Sequence, residues 1–181
     1  MGNPSQPVSL SRRSFFKGRV HASANPAMRP PWALSETQFV DTCTTCDKCL
    51  SACNEGILVP GDAGFPTVDF QNGECTFCGD CIKVCTPGAL SINDNETPTP
   101  WQHYAEIGSG CLSANGITCR VCGDRCDTRA IRFQLAVGGV AHPILDTSTC
   151  TGCGACIAPC PVGAVKIQHV QSEEHQMEER S

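Results

Sequence analysis

Sixteen cysteines in a chain of 181 residues fall into four groups of four, with none left over. Three groups share the spacing C-x2-C-x2-C-x3-C. They are Cys43, Cys46, Cys49 and Cys53 in CTTCDKCLSAC, Cys75, Cys78, Cys81 and Cys85 in CTFCGDCIKVC, and Cys150, Cys153, Cys156 and Cys160 in CTGCGACIAPC. The remaining group keeps the last two gaps at Cys119, Cys122 and Cys126, but its first member, Cys111, lies beyond a seven-residue loop, LSANGIT. Consecutive two-residue gaps let a tight loop curl three thiolates around three corners of an iron–sulfur cubane. This is the spacing of [4Fe–4S] sites. The fourth cysteine, three residues on, opens away from that loop and reaches a second cubane.

The motifs are therefore expected to work in pairs, each lending its last cysteine to its neighbour. The expected ligand sets are Cys43, Cys46, Cys49 and Cys85 for cluster 1, and Cys75, Cys78, Cys81 and Cys53 for cluster 2. Cys111, Cys119, Cys122 and Cys160 would hold cluster 3, and Cys150, Cys153, Cys156 and Cys126 cluster 4. Structural zinc calls for two separated C-x2-C pairs rather than three cysteines at consecutive two-residue gaps. A disulfide scaffold calls for an exported protein and does not explain one rigid spacing repeated. Cys111 has two readings. It is a ligand if Asn115-Gly116 turns the loop back, or a free buried thiol beside a three-iron cluster.

No residues for catalysis stand out. With four thiolates on each cubane, no iron is open to a substrate. The five histidines (21, 103, 142, 169 and 175) form no metal-protease or triad pattern, and no nucleotide-binding glycine motif is present. The expectation is a carrier or interaction protein, not an enzyme.

The segments between motifs must position these loops. GILVPGDAGFPTVDF reads as a hairpin, with Ile57–Val59 and Pro66–Phe70 flanking PGDAG. AIRFQLAVGGVAHPIL repeats the pattern with its turn at Gly138-Gly139. GALSI after the second motif and GAVKI after the fourth each read as a short strand. The motifs thus recur as a unit of about thirty residues, doubled and doubled again. The expected class is α+β, two tandem bacterial-type two-[4Fe–4S] ferredoxin-like domains in which clusters take the place of bulky core side chains. Boundaries are expected at 1–34 (a basic N-terminal arm), 35–98 (the first domain), 99–170 (the second) and 171–181 (an acidic C-terminal tail). The link 93–110 carries Trp101 and Tyr104, which either pack at the domain junction or meet a partner. Only Cys160 is followed directly by proline, so the four clusters are expected to differ in potential.

Charge is divided unevenly. Residues 1–30 hold Arg12, Arg13, Lys17, Arg19 and Arg29 with no acid, whereas the other 151 residues hold eight basic and eighteen acidic side chains. The acidic body offers no aromatic stacking platform, so nucleic acid is not an expected partner. No run of eighteen apolar residues is present, so no transmembrane helix is expected. SRRSFFKGR (11–19) has the opening of a twin-arginine export signal. However, His21, Asn25, Arg29 and three prolines replace the apolar stretch that should follow. The arm is expected to stay attached, with Arg12, Arg13, Lys17 and Arg19 either meeting a partner or simply solvated.

The SRR…GR block, RPPW at 29–32, the four cysteine motifs and the long gap in CLSANGITCRVC together resemble the NapF family. These are ferredoxin-type accessory proteins of periplasmic nitrate reductase systems. The resemblance covers nearly the whole chain. It implies a cytoplasmic protein that meets the molybdenum-containing catalytic subunit before its export and helps mature that subunit's own [4Fe–4S] cluster. A polyferredoxin donating electrons to a reductase or dehydrogenase is the alternative. On the maturation reading, cluster 1 is expected to be the most labile, because only a short apolar piece precedes it and no proline directly follows Cys85.

Overall fold

The computed structural model describes residues 27–92, 100–136 and 140–169. The elements are short and the loops between them carry the cysteines. Helix α1 (Glu36–Thr42) follows Ser35, places Glu36 at the positive end of its dipole and buries Phe39 completely. Helices α2 (Lys48–Ala52), α3 (Asp80–Lys83) and α4 (Val121–Asp124) are four or five residues long. Helices of that length do not stand alone in water. Each contains the cysteine that precedes the last one of its motif and is fixed by what surrounds that thiol.

All four motifs leave by the same turn. The amide of the last cysteine donates to the carbonyl three residues back: Cys53 to Leu50, Cys85 to Ile82, Cys126 to Gly123 and Cys160 to Ile157. The amide three residues further on then donates to that cysteine's own carbonyl, from Gly56, Gly88, Arg129 and Gly163. All four of these residues have φ between 55° and 80°. Glycine adopts that region freely, whereas Arg129 adopts it against the clash of its Cβ.

Three two-stranded antiparallel sheets complete the fold. Strands β1 (Leu58–Pro60) and β2 (Pro66–Val68) form the first expected hairpin, turned through a 3-10 step at Asp62–Gly64. Strands β4 (Ile131–Leu135) and β5 (Ala141–Leu145) form the second, and its turn at 137–139 lies outside the described residues. GAVKI (163–167) opens β6 (Val165–His169), which pairs with β3 (His103–Ile107), a strand in the segment read from sequence as a link.

GALSI does not form a strand. Leu90 makes a single antiparallel bridge to Ala33, flanked by bonds from Leu34 N–H to Ala89 O and from Ser91 N–H to Trp32 O. Its partner, residues 32–34, directly follows Pro30 and Pro31, which have no amide to continue a ladder.

Residues 27–34 therefore belong to the packed body. Pro30 is fully buried. Arg29 forms a two-pronged ion pair with Glu36 (2.7 and 2.9 Å), donates to Pro66 O, and lies 5.0 Å from the Phe39 ring centroid and 5.4 Å from that of Phe65. Arg29 is a structural residue of the first half, not one of the free charges of an arm. Arg12, Arg13, Lys17 and Arg19 lie outside the described residues.

The first-half core is Phe39, Ile57, Leu58, Phe70, Ala89 and Leu90, with Trp101 joining it from the second half. The second-half core is smaller: Ala105, Cys122, Ile131, Cys156 and Val165. Trp101 packs edge-on to Phe70 and Phe77 (centroids 6.0 and 5.7 Å apart), and its indole N–H donates to Thr151 O at 2.8 Å. It thus joins the halves.

Candidate iron–sulfur sites

In the three regularly spaced motifs the loop curls by the same means. The residues flanking the second cysteine are left-handed: Thr45 and Asp47, Phe77 and Gly79, Gly152 and Gly154. Turning the chain there draws three cysteines around a single space. In the last motif a side chain is also excluded sterically. A Cβ on Gly154 would lie 2.2 Å from the Phe70 ring, and one on Gly152 would lie 2.7 Å from His103 O. The irregular motif uses no such turn at Arg120, whose φ is −134°. Instead Asn115 gathers its long loop, donating from its side-chain amide to Ser109 O and Cys111 O, both at 2.8 Å. Buried Ser113 donates to Ala141 O and ties the same loop to β5.

The cysteines line four cavities. Cys43, Cys46, Cys49 and Cys85 face the first (site 1), with Phe39, Pro66, Ala89 and Leu90. Cys53, Cys75, Cys78 and Cys81 face the second (site 2), with Pro31, Trp32, Ile57 and Phe77. Cys111, Cys119, Cys122 and Cys160 face the third (site 3), among Leu112, Val121, Val162 and Val165. Cys126, Cys150, Cys153 and Cys156 face the fourth (site 4), with Ala105, Ile131 and Ile167.

These residues suit a polynuclear iron–sulfur group. Four thiols and an apolar wall surround each space, and no histidine lines any of them. Among the described residues no three His, Cys, Asp or Glu side chains converge tightly enough to hold a single metal ion. The thiols stand around a volume, as a cubane needs and a lone zinc does not. Backbone amides point at sulfur from Leu90 to Cys85 (3.4 Å), Ala105 to Cys150 (3.4 Å) and Ala164 to Cys160 (3.2 Å). Such bonds favour negative charge on the sulfur and help set a cluster's potential.

Burial raises the thiols deepest in the sites. Cys49, Cys81 and Cys122 are pushed up to about 11, and Cys75 and Cys156 to about 12, chiefly by loss of water and further by neighbouring cysteines. Cys46 goes the other way. It is exposed, and its thiol is lowered by the Lys48 backbone amide and the Thr44 hydroxyl. Cys78 at site 2 is also exposed, whereas no second-half cysteine is. Sites 2 and 4 adjoin, because the Cys75 amide donates to Cys153 O at 2.8 Å.

The family model for a 4Fe-4S dicluster domain matches residues 42–89 and 117–164, so the fold is two such domains in tandem. The ferredoxin-type protein NapF of Haemophilus influenzae is 44% identical over 175 residues, which cover 92% of this chain and 98% of that protein. The chain belongs to the ferredoxin-type NapF family. NapF of Escherichia coli K12 is 37% identical over 91% of this chain and 98% of its own length. The methylamine utilization ferredoxin-type protein MauM of Methylorubrum extorquens is 30% identical over 92% of this chain and 82% of its own. Two dicluster domains with sixteen cysteines carry four [4Fe–4S] clusters. As a ferredoxin-type protein, the NapF-family chain is an iron–sulfur protein rather than an enzyme. No helix among its described residues is long and apolar enough to cross a membrane.

Of the residues that matter at these sites, Trp32 and Asn115 escaped assignment from sequence. Asn115 was legible only as a turn, and Trp32 only as part of the RPPW block.

Proposed function

We propose that this chain serves a periplasmic nitrate reductase system from the cytoplasm, meeting the catalytic subunit before its export and assisting assembly of that subunit's [4Fe–4S] cluster. The match along 98% of the length of NapF proteins carries the reading. The ligands would be the four cavity sets, Cys43, Cys46, Cys49 and Cys85 at site 1 through Cys126, Cys150, Cys153 and Cys156 at site 4. When bound, the clusters supply single-electron redox capacity and a store of iron and sulfide. The protein's own residues exclude water with apolar walls, aim amides at sulfur and fix the spacing of the thiolates.

Site 1 is the place for exchange with a client, because its ligand Cys46 is exposed to solvent. The test is the catalytic subunit isolated from cells carrying Cys46→Ser and Cys43→Ser chains. Its cluster content should fall while its molybdenum cofactor stays. A normal client cluster with either variant would sink this role for site 1.

A plain electron relay is the second reading, favoured by the hydrogen bond from Cys75 to Cys153 between sites of opposite halves. The two readings part on one observation. A client from cells lacking this protein, restored merely by adding reductant, indicates a relay. A persistent cluster deficit indicates maturation.

A further inference from the structure

Trp32 has an indole N–H with no partner. Among the described residues its Nε1 is the one buried side-chain nitrogen or oxygen without a hydrogen bond. Buried donors are satisfied in nearly all native structures, and an orphan points to a group that belongs beside it. Trp32 lines the site 2 cavity, shared with Cys53, Cys75, Cys78 and Cys81. Its ring packs edge-on against Phe77, which lies within the site 2 loop (centroids 6.2 Å apart). Asn54, Glu55 and Glu74 line the same cavity, yet none of them accepts from the indole.

The backbone is held so as to put the ring there. Trp32 has φ 58°, an unfavourable region for a bulky side chain. It is kept in place by bonds from its N–H to Pro100 O (2.6 Å) and from Ser91 N–H to its carbonyl (2.9 Å). Strain of this kind persists where the surroundings over-determine a conformation, and it gathers at functional sites.

We propose that Trp32 donates its indole N–H to sulfur of the cluster in site 2 and holds that cluster's potential above the value its cysteines alone would give. Cluster sulfide and cysteine thiolate are acceptors with no proton of their own, which is the partner this donor lacks. Reduction adds negative charge to those sulfurs. The bond is therefore stronger in the reduced state, and its loss shifts the potential downward. The inference rests on the ligand set proposed for site 2 and not on the identity of any client.

The test uses the full-length holo chain. Tryptophan occurs only twice, at positions 32 and 101, so growth on indole-15N tryptophan labels two nitrogens. Pulsed electron paramagnetic resonance of the reduced protein should show a nitrogen-15 hyperfine coupling that Trp32→Phe removes. In a potentiometric titration of that variant, one cluster should move to lower potential and three stay in place. Phenylalanine retains a ring against Phe77, so a packing role alone predicts neither result. No nitrogen coupling in the labelled native chain overturns the proposal. So does a coupling that survives Trp32→Phe, or a fully loaded variant with four unchanged potentials. If the variant does not load, Trp101→Phe decides, since it leaves Trp32 as the one labelled nitrogen and the coupling should survive it. Native protein with iron and sulfide for fewer than four clusters would instead fail the ligand set.

Discussion

A thiol becomes a ligand only by losing its proton, and the sixteen cysteines do not lose theirs equally. In the metal-free chain Cys75 and Cys156, pushed up to about 12, hold their protons throughout the physiological range, whereas Cys46 is the easiest to ionise among those shifted. In the metal-free chain iodoacetamide should label Cys46 first and Cys75 and Cys156 last, by about tenfold or more, since the thiolate is the nucleophile. Peptide mass spectrometry reads the order, and equal labelling would show that the fold is lost without iron. The sign of the pH effect follows. Below pH 9 the raised thiols favour the folded metal-free chain, and that contribution is lost as pH rises through 11 to 12. Cluster binding runs the opposite way, releasing protons and strengthening with pH. Arg129 offers a second test at this scale. It adopts a left-handed φ of 55° where the other three motifs place glycine. Arg129→Gly should stabilise the second half by about 0.5–1 kcal/mol, the relief of Cβ strain outweighing the added freedom of the unfolded chain. A rise in the temperature of cluster loss would show it.

Among the elements, the loop from Leu112 to Thr118 does what a left-handed turn does elsewhere, and Asn115 is its pin. Asn115→Ala removes the side-chain donor from Ser109 O and one of the two bonds to Cys111 O, which keeps the Asn115 backbone amide, at a cost of about 1 kcal/mol, and loosens the loop that presents Cys111. We expect site 3 to lose its fourth iron more readily in that variant, and in Cys111→Ala to hold a three-iron cluster, detected by its resonance when oxidised. A Cys111→Ala chain with four intact four-iron clusters would mean that Cys111 is the free thiol. Elements of this kind divide into those the sequence reveals and those it hides. Both hairpins were legible because glycine or proline punctuates their turns and apolar residues recur along their strands. Strand β3 was not, because HYAEI is a mixed five-residue run whose pairing depends on β6, sixty residues away. GALSI was read as a strand from local composition, and the prolines that limit it lie in another segment. The gathering of cysteines from paired motifs around common cavities was legible because spacing along the chain limits how far each thiol reaches. The roles of Arg29 and Trp32 were not, since each is defined by tertiary neighbours.

In the whole molecule, the body begins earlier than charge alone indicates. Burial of Pro30 and Pro31, with Trp32 half-buried, is worth about 2–4 kcal/mol, before the Arg29 contacts are counted. A chain shortened to begin at residue 27 should keep four clusters, while one beginning at 35 should lose those of the first half, as iron analysis would show. Any test of the basic segment for partner binding therefore has to cut before residue 27. The halves also bear on one another. Within each half, two sites are linked covalently through a shared motif; between halves, the nearest link is the Cys75 amide on Cys153 O, beside Phe70, Phe77 and Trp101. Sites 2 and 4 are then the inner pair, and sites 1 and 3 the outer ones. Gly154 keeps the inner pair close, since any side chain there meets the Phe70 ring. In the fully reduced native protein, spin coupling should extend across all four clusters. Gly154→Ala, loaded with its full iron, should resolve into two independently coupled pairs, with slower electron equilibration between them. If its spectrum and equilibration rate match those of the native chain, Gly154 does not set the coupling between the inner pair.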